Sequence, residues 1–444
     1  MARSGYGARA RRAVRAVPRR AVFLETAFLK NVFPVTAACL ALALVAGCGL
    51  LPAAPGTLDS AGQSCGSKIT FAIGPDDIGW LTPIINRWNK AHPSDQVQPL
   101  YLPQAANGQL AQLVADLQAR SCLYDVIDMD VVWTAQFASS GWIIPLKGFS
   151  TSGFLAPAVD TARYAGQLYA VPDYTNADLL YYRTDLVKNP PTTWGQLAAD
   201  AQRLRQEDHL DGYAATLAPY EGLTVNFTEA QQSKGGSFLA GHGSTVTVNS
   251  RQATAALQFL VNGIKAGWIP QQDRTYEETQ VQDQFLAGKF VFLNMWPDVY
   301  TAATTAGPGN KVYGKVGVTV LPGPSALGGA NLAISAYSRH PAQALDFIKF
   351  LTDAQNERVM FTKGGFPPVR ADLYDDPGLR ARYPDLKWVL EAVNHAQPRP
   401  AVTTYEQASQ AIFGQAETAL RQQETPQQAI KAMTSQLARL IGGG

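Results

Sequence analysis

Cysteine and histidine are scarce in this chain, four and five residues among 444, and none of them falls into a metal-ligand spacing. The sequence also lacks a Gly-x-Ser-x-Gly elbow, a His-Glu-x-x-His helix and a glycine-rich phosphate loop. No activated serine, zinc-hydrolase centre or nucleotide cradle is therefore written into it, and neither catalytic residues, nor a metal, nor a cofactor is expected. His92, His242, His340 and His395 stand beside Pro, Gly or polar residues and read as solvent-facing. No internal repeat stands out. Paired acidic residues do occur, and a glycosidase needs only two carboxylates about 5 to 10 Å apart, so that chemistry is left open.

What the chain does have begins at its start. Eight basic residues, from Arg3 to Lys30, precede an apolar run that opens near Val32 and ends in Val45-Ala46-Gly47-Cys48. A basic leader, a short greasy segment and small residues before a cysteine read as an export signal over residues 1–47, with Cys48 becoming a lipid-carrying N-terminus. The rival reading is a retained membrane anchor, but the run is broken by Pro34 and falls short of the ~20 residues needed to cross hydrocarbon. Arg19-Arg20 before Phe23-Leu24 leaves Sec and twin-arginine export both open. No later run reaches spanning length without charge, so an extracytoplasmic body held to the membrane at one end is expected.

Removing the leader reverses the charge. The chain's 37 basic residues less those eight leave 29, and its 35 acidic residues less Glu25 leave 34, a net charge of −5. The basicity that would favour nucleic acid belongs to the leader, so no nucleic-acid partner is expected. With Cys39 in the leader and Cys48 modified, Cys65 and Cys122 remain in an oxidising compartment, which favours a bridge over two separate buried thiols.

Residues 48–65, rich in Pro, Ala, Gly, Ser and Thr, read as a tether. Order begins at Lys68-Ile69-Thr70-Phe71-Ala72-Ile73, a strand, followed after a turn by apolar positions Leu81, Ile84, Ile85 and Trp88 at helical spacing. Gln98–Leu102, Gly108–Arg120 and Tyr124–Val132 continue the alternation of strand and helix, which argues for a sheet flanked by helices with its site at the strands' carboxyl ends. Gly166–Pro172 and Leu179–Arg183 have the look of one long strand passing between two domains, and Gly317–Gly323 resembles a second crossing. Lys363–Arg370 forms a turn at a candidate third crossing. Helices are expected over Thr193–Gln206, Phe227–Lys234, Ser250–Ala266, Thr275–Ala287 and Pro341–Asp353, and through most of Asp376–Leu440. Phe290–Asn294 reads as a strand ending at Trp296-Pro297.

Aromatic residues sit beside hydrogen-bonding ones at predicted strand ends and loops: Asp77 near Trp80, Asp130 near Trp133, Tyr174 near Asn176, Tyr220 beside Glu221, and Trp296 beside Asp298. Flat rings cover the C–H faces of sugars while carboxylates and amides bond their hydroxyls. Trp88 and Trp194 fall in helical patterns and are assigned to packing.

Taken together, the lipobox, Asp-x-x-Trp-x-x-x-Phe from Asp130, Gly-x-x-Tyr-Ala-x-Pro from Gly166, Glu221-Gly222-Leu223, Phe285-x-x-Gly-Lys-Phe before Trp296, Gly328-Gly329, Pro-x-x-Arg from Pro367, and Arg399-Pro400 with Tyr405 resemble extracellular solute-binding proteins of carbohydrate ABC importers. The likeness is greatest to the trehalose/maltose-binding lipoproteins of actinobacteria. It implies a two-lobed α/β fold of the maltose-binding type, with three hinge crossings. One lobe would comprise residues 66–174 and 324–366, the other 175–323 and 367–444. By the same resemblance the ligand would be gripped by Asp77, Asp130, Tyr174, Asn176, Glu221, Glu278, Trp296, Gly329, Ala330 and Arg370. The implied partners are an α-linked gluco-disaccharide such as trehalose or maltose, ABC permease subunits and, through lipid, the membrane; the protein would be a monomer and not an enzyme. Rival readings are a receptor for a longer oligosaccharide, polyol, glycerophosphodiester or peptide, and an exported glycoside hydrolase.

Overall fold

A computed structural model describes residues 65–442 except Asp76, Asp77 and His242. The signal peptide, Cys48, Asp77 and nearly all of the tether expected from the sequence lie outside the described residues. Ten strands build two sheets: β1 (Ile69–Ile73), β2 (Val97–Tyr101), β3 (Val126–Asp130), β4 (Ala170–Ala177), β5 (Leu179–Arg183), β6 (Asp211–Ala214), β7 (Phe290–Met295), β8 (Val316–Val320), β9 (Ala326–Ile334) and β10 (Gln397–Pro398).

The first sheet runs β2-β1-β3-β9-β4, with β10 pairing the start of β9. Strand β1 is parallel to β2 and β3, whereas β9 is antiparallel to β3 and β4. Every residue of β1 is buried, as an inner strand covered on both faces requires. Part of the covering is aromatic: Phe71 meets Phe347 edge to face, and Trp88 packs on the same ring. Helices Ile78–Ala91 and Pro341–Leu351 supply Trp88 and Phe347.

The second sheet runs β8-β5-β7-β6, with β5 antiparallel to both neighbours and β7 parallel to β6. Alternation is visible within β5, where Leu180 joins one core with Phe227 and Leu257 while Leu179 and Tyr181 join another with Phe285 and Phe290. Each sheet thus has its own core, and the body has two lobes.

The joins between the lobes are what position the site. Strand β4 of the first sheet passes through Asp178 directly into β5 of the second, and β8 of the second leads back into β9 of the first. These two joins are tied side by side, since Ser325 Oγ donates to the Asp178 carbonyl at 2.6 Å. A third segment, Phe366–Arg370, runs beside β4: Thr175 N–H donates to the Pro367 carbonyl and Leu155 N–H to that of Val369.

Cys65 and Cys122 form a disulfide. Closing a loop of 57 residues contributes about 4 kcal/mol on the chain-entropy model. Among the described residues no helix is long and apolar enough to cross a membrane, and no cluster of His, Cys, Asp and Glu could hold a metal ion.

Candidate functional site

A cleft of about 390 Å³ opens where the strand ends of the first lobe meet the helices of the second. Seven of the residues expected from the sequence line it together: Asp130, Tyr174, Asn176, Glu221, Glu278, Trp296 and Gly329. A second compartment of about 230 Å³ adjoins it, sharing Asp130, Tyr174, Glu278 and Gly329, and there Ala330 and Trp133 form part of the wall.

Secondary structure explains the convergence. Asp130 is the last residue of β3, and Trp296 follows the last residue of β7. Tyr174 and Asn176 belong to β4, which runs antiparallel to the Gly328-Gly329 segment of β9. Gly329 has φ of +115°, and a Cβ there would lie 2.3 Å from the Tyr174 carbonyl oxygen, so only glycine lets the two strands approach here. Three helix N-termini also reach the cleft, those starting at Ala106, Glu221 and Glu278. Their positive dipole ends favour oxygen acceptors.

Arg370 is not among these residues. Its guanidinium donates to Asp372 at 3.3 Å and lies over the Phe154 ring, because the backbone at Arg370 bridges to Phe154 on the far side of the turn. The cation that reaches the cleft is Arg399, which follows β10. Its side chain, 2 % exposed, donates to Asp130 at 2.7 and 3.2 Å and to Glu221 at 2.5 Å. Glu221 in turn accepts from the hydroxyls of Tyr405 and Ser409. One buried guanidinium thus joins an acid of the first lobe to an acid of the second. Pro398 and Pro400 around it, in a non-helical interruption of a helical region, are the sequence signal that could have singled it out.

The electrostatics of the acids follow from burial. Desolvation pushes the Glu221 carboxyl up and Asp130 adds to this, while Arg399 pulls it down. Burial drives Glu278 up to about 7, against the pull of its own backbone N–H and the Tyr220 hydroxyl. Asn176 is 9 % exposed, and its side-chain carbonyl has no hydrogen-bond partner among the described residues. A buried acceptor of this kind is satisfied by a hydroxyl.

Chemically, Asp130 and Glu221 are both held by the same guanidinium, which suits a fixed hydrogen-bonding floor better than an acid paired with a nucleophile. Tyr174, Phe366 and Trp296 add aromatic surface beside that floor. The arrangement can bind a polyhydroxylated ligand by hydrogen bonds on one side and ring faces on another.

Comparison with known proteins gives the family and the fold. A family model described as bacterial extracellular solute-binding protein matches residues 84–387. A probable ABC transporter-binding protein of Deinococcus radiodurans is 31 % identical over 369 residues, 78 % of this chain and 87 % of the relative. Among solved structures, maltose-bound MalE3 of T. maritima shares 31 % identity with a TM-score of 0.79, over 84 % of this chain and 99 % of that one. A solute-binding protein of Thermotoga lettingae bound with α-D-tagatose has the same fold, with a TM-score of 0.77 at 24 % identity over 85 % of this chain and 100 % of that one. With the family match spanning most of its length and the Deinococcus relative covered nearly end to end, this chain belongs to the bacterial extracellular solute-binding proteins.

Proposed function

We propose that this protein is the lipid-anchored receptor of an ABC sugar importer, taking an α-linked gluco-disaccharide of the trehalose or maltose type into the cleft and delivering it to the permease. One juxtaposition carries the reading: the indole of Trp296 lines the same cleft as Asp130, Asn176 and Glu221, which is the pairing of flat face and hydroxyl-binding groups that a pyranose demands. The likeness to a maltose-bound protein at 31 % identity supports the sugar class. Cys48 is the proposed site of lipid attachment, the working form is a monomer, and the lobes divide as residues 66–174 with 324–366 and 175–323 with 367–444.

Closure on the ligand is a population shift, since a sugar touching both lobes stabilises the shut state. Calorimetry with trehalose and with maltose is expected to give micromolar dissociation constants, about −8 kcal/mol. No heat with either, or with any member of a panel of di- and oligosaccharides, removes the sugar assignment.

The adjoining compartment favours a second reading, a longer oligosaccharide that continues past Asp130 and Glu278 toward Trp133. Tighter binding of maltotriose than of maltose selects it.

A further inference from the structure

We infer that Asn107 is the positioning residue that holds the two lobes shut, by supplying from the first lobe the cap that a helix of the second lobe lacks. The helix Glu221–Gln232 follows Tyr220, whose backbone is extended and whose side chain makes no capping bond. The first amides of a helix have no acceptor within it. Leu223 N–H finds the Tyr220 carbonyl at 3.0 Å, and Glu221 N–H finds Oδ1 of Asn107, also at 3.0 Å.

Four other helices cap themselves. Thr193, Ser250, Asp353 and Asp376 each accept an amide from their own first turn. Asn107 is instead 114 residues upstream of the helix it caps, in the first turn of Ala106–Gln118. That helix begins after Ala105, whose side chain offers no acceptor, so the acceptor Asn107 carries is free to serve the other lobe.

Ala106 lines the cleft while Asn107 does not, so Asn107 acts without touching the ligand. Its bond fixes the backbone of Glu221, the residue whose carboxylate Arg399 ties to Asp130. Opening the lobes breaks the cap and returns the Glu221 amide to water. Closing restores it, so the bond weights the shut state before any ligand contact is counted.

The inference rests on the cleft being a site that closes, but its test needs no ligand. Inter-lobe distances from spin labels placed on each lobe report the ratio of open to shut molecules. Asn107→Ala is expected to raise that ratio about three- to tenfold, the range for loss of a helix cap. Asn107→Asp, which keeps the accepting oxygen, is expected to match the unmodified protein. Should Asn107→Ala not fold, Asn107→Ser, whose hydroxyl stops short of the Glu221 amide, carries the same expectation. An unchanged distribution in the alanine or serine variant, or an equal opening in the aspartate variant, overturns the inference. A parallel maltose titration keeps the two readings apart: the alanine variant is expected to bind more weakly by the same factor. Failure of the unmodified protein to bind counts against the sugar assignment and leaves the distance result to judge the cap.

Discussion

The Trp296 indole rests on Gly328. A Cβ added to that glycine would stand 2.9 Å from ring atoms Cη2 and Cζ3 and 3.4 Å from the Cβ of Asn176. The strand of the first sheet that carries the glycine therefore sets where a ring from the second lobe can lie. Gly328→Ala is expected to push the ring aside and weaken saccharide binding roughly three- to tenfold, the worth of one well-placed aromatic contact. Trp296→Ala should lose more. Calorimetry reads both, and an unchanged affinity for either variant removes Trp296 from the site.

Arg399 is the one side chain whose loss should cost stability and binding together. Arg399→Met leaves Asp130 and Glu221 facing each other, partly buried and without their shared cation. Removing one partner from a buried pair costs about 3–5 kcal/mol, whereas Arg203→Ala, which breaks only exposed pairs on a helix surface, should cost far less. Urea unfolding of the two variants makes the comparison, and equal costs would show that the buried network contributes nothing.

Arg370→Ala gives the complementary result. Its ion pair with Asp372 is partly exposed and the residue does not line the cleft, so affinity should stay within about twofold and stability within about 1 kcal/mol. A tenfold loss of binding would place Arg370 back in the site.

Stability should fall as pH rises toward neutrality. Burial lifts the carboxyls of Asp173, Glu229, Glu278 and Asp385 to about 7, so the folded protein keeps protons that the unfolded chain releases near pH 4. More protons in the folded state mean a stability that declines between about pH 4 and pH 7 and levels off above. Asp376, lowered to about 2 by Arg358, acts in the opposite sense, and its contribution is lost only as pH falls below about 4. Melting curves should show a higher midpoint at pH 5 than at pH 8, and the reverse order would contradict the assignment of these protons.

Local patterns were legible where one face of an element meets solvent. The helices at Trp194–Asp208 and Arg251–Ala266 lie within a few residues of the ranges read from periodicity, and β4 and β5 do form one path between the sheets. The helix Glu221–Gln232 starts six residues before the Phe227 that periodicity indicates, because Glu221 to Gln231 is buried throughout and an all-round buried helix carries no amphipathic period. Two of its buried polar residues are held by hydrogen bonds: Asn226 bonds Thr216 and the Gly222 carbonyl, and Glu229 accepts from Asn294 and from the Ala326 amide. Asp130, Tyr174, Asn176, Glu221 and Trp296 were legible as hydrogen-bonding or aromatic residues side by side near strand ends and a helix start, whereas Glu278 and Gly329 rested on the family resemblance alone. That Arg370 turns away from the cleft depends on long-range pairing to Phe154 and not on neighbours in sequence.

The disulfide at the start of the folded body has a mechanical consequence. Cys122 lies just ahead of β3, the strand whose far end presents Asp130, so whatever pulls on the chain before Cys65 is resisted at two places in the first lobe at once. Such a load reaches β3 in the middle of the sheet through the disulfide as well as β1 through the backbone, so no single strand carries it alone.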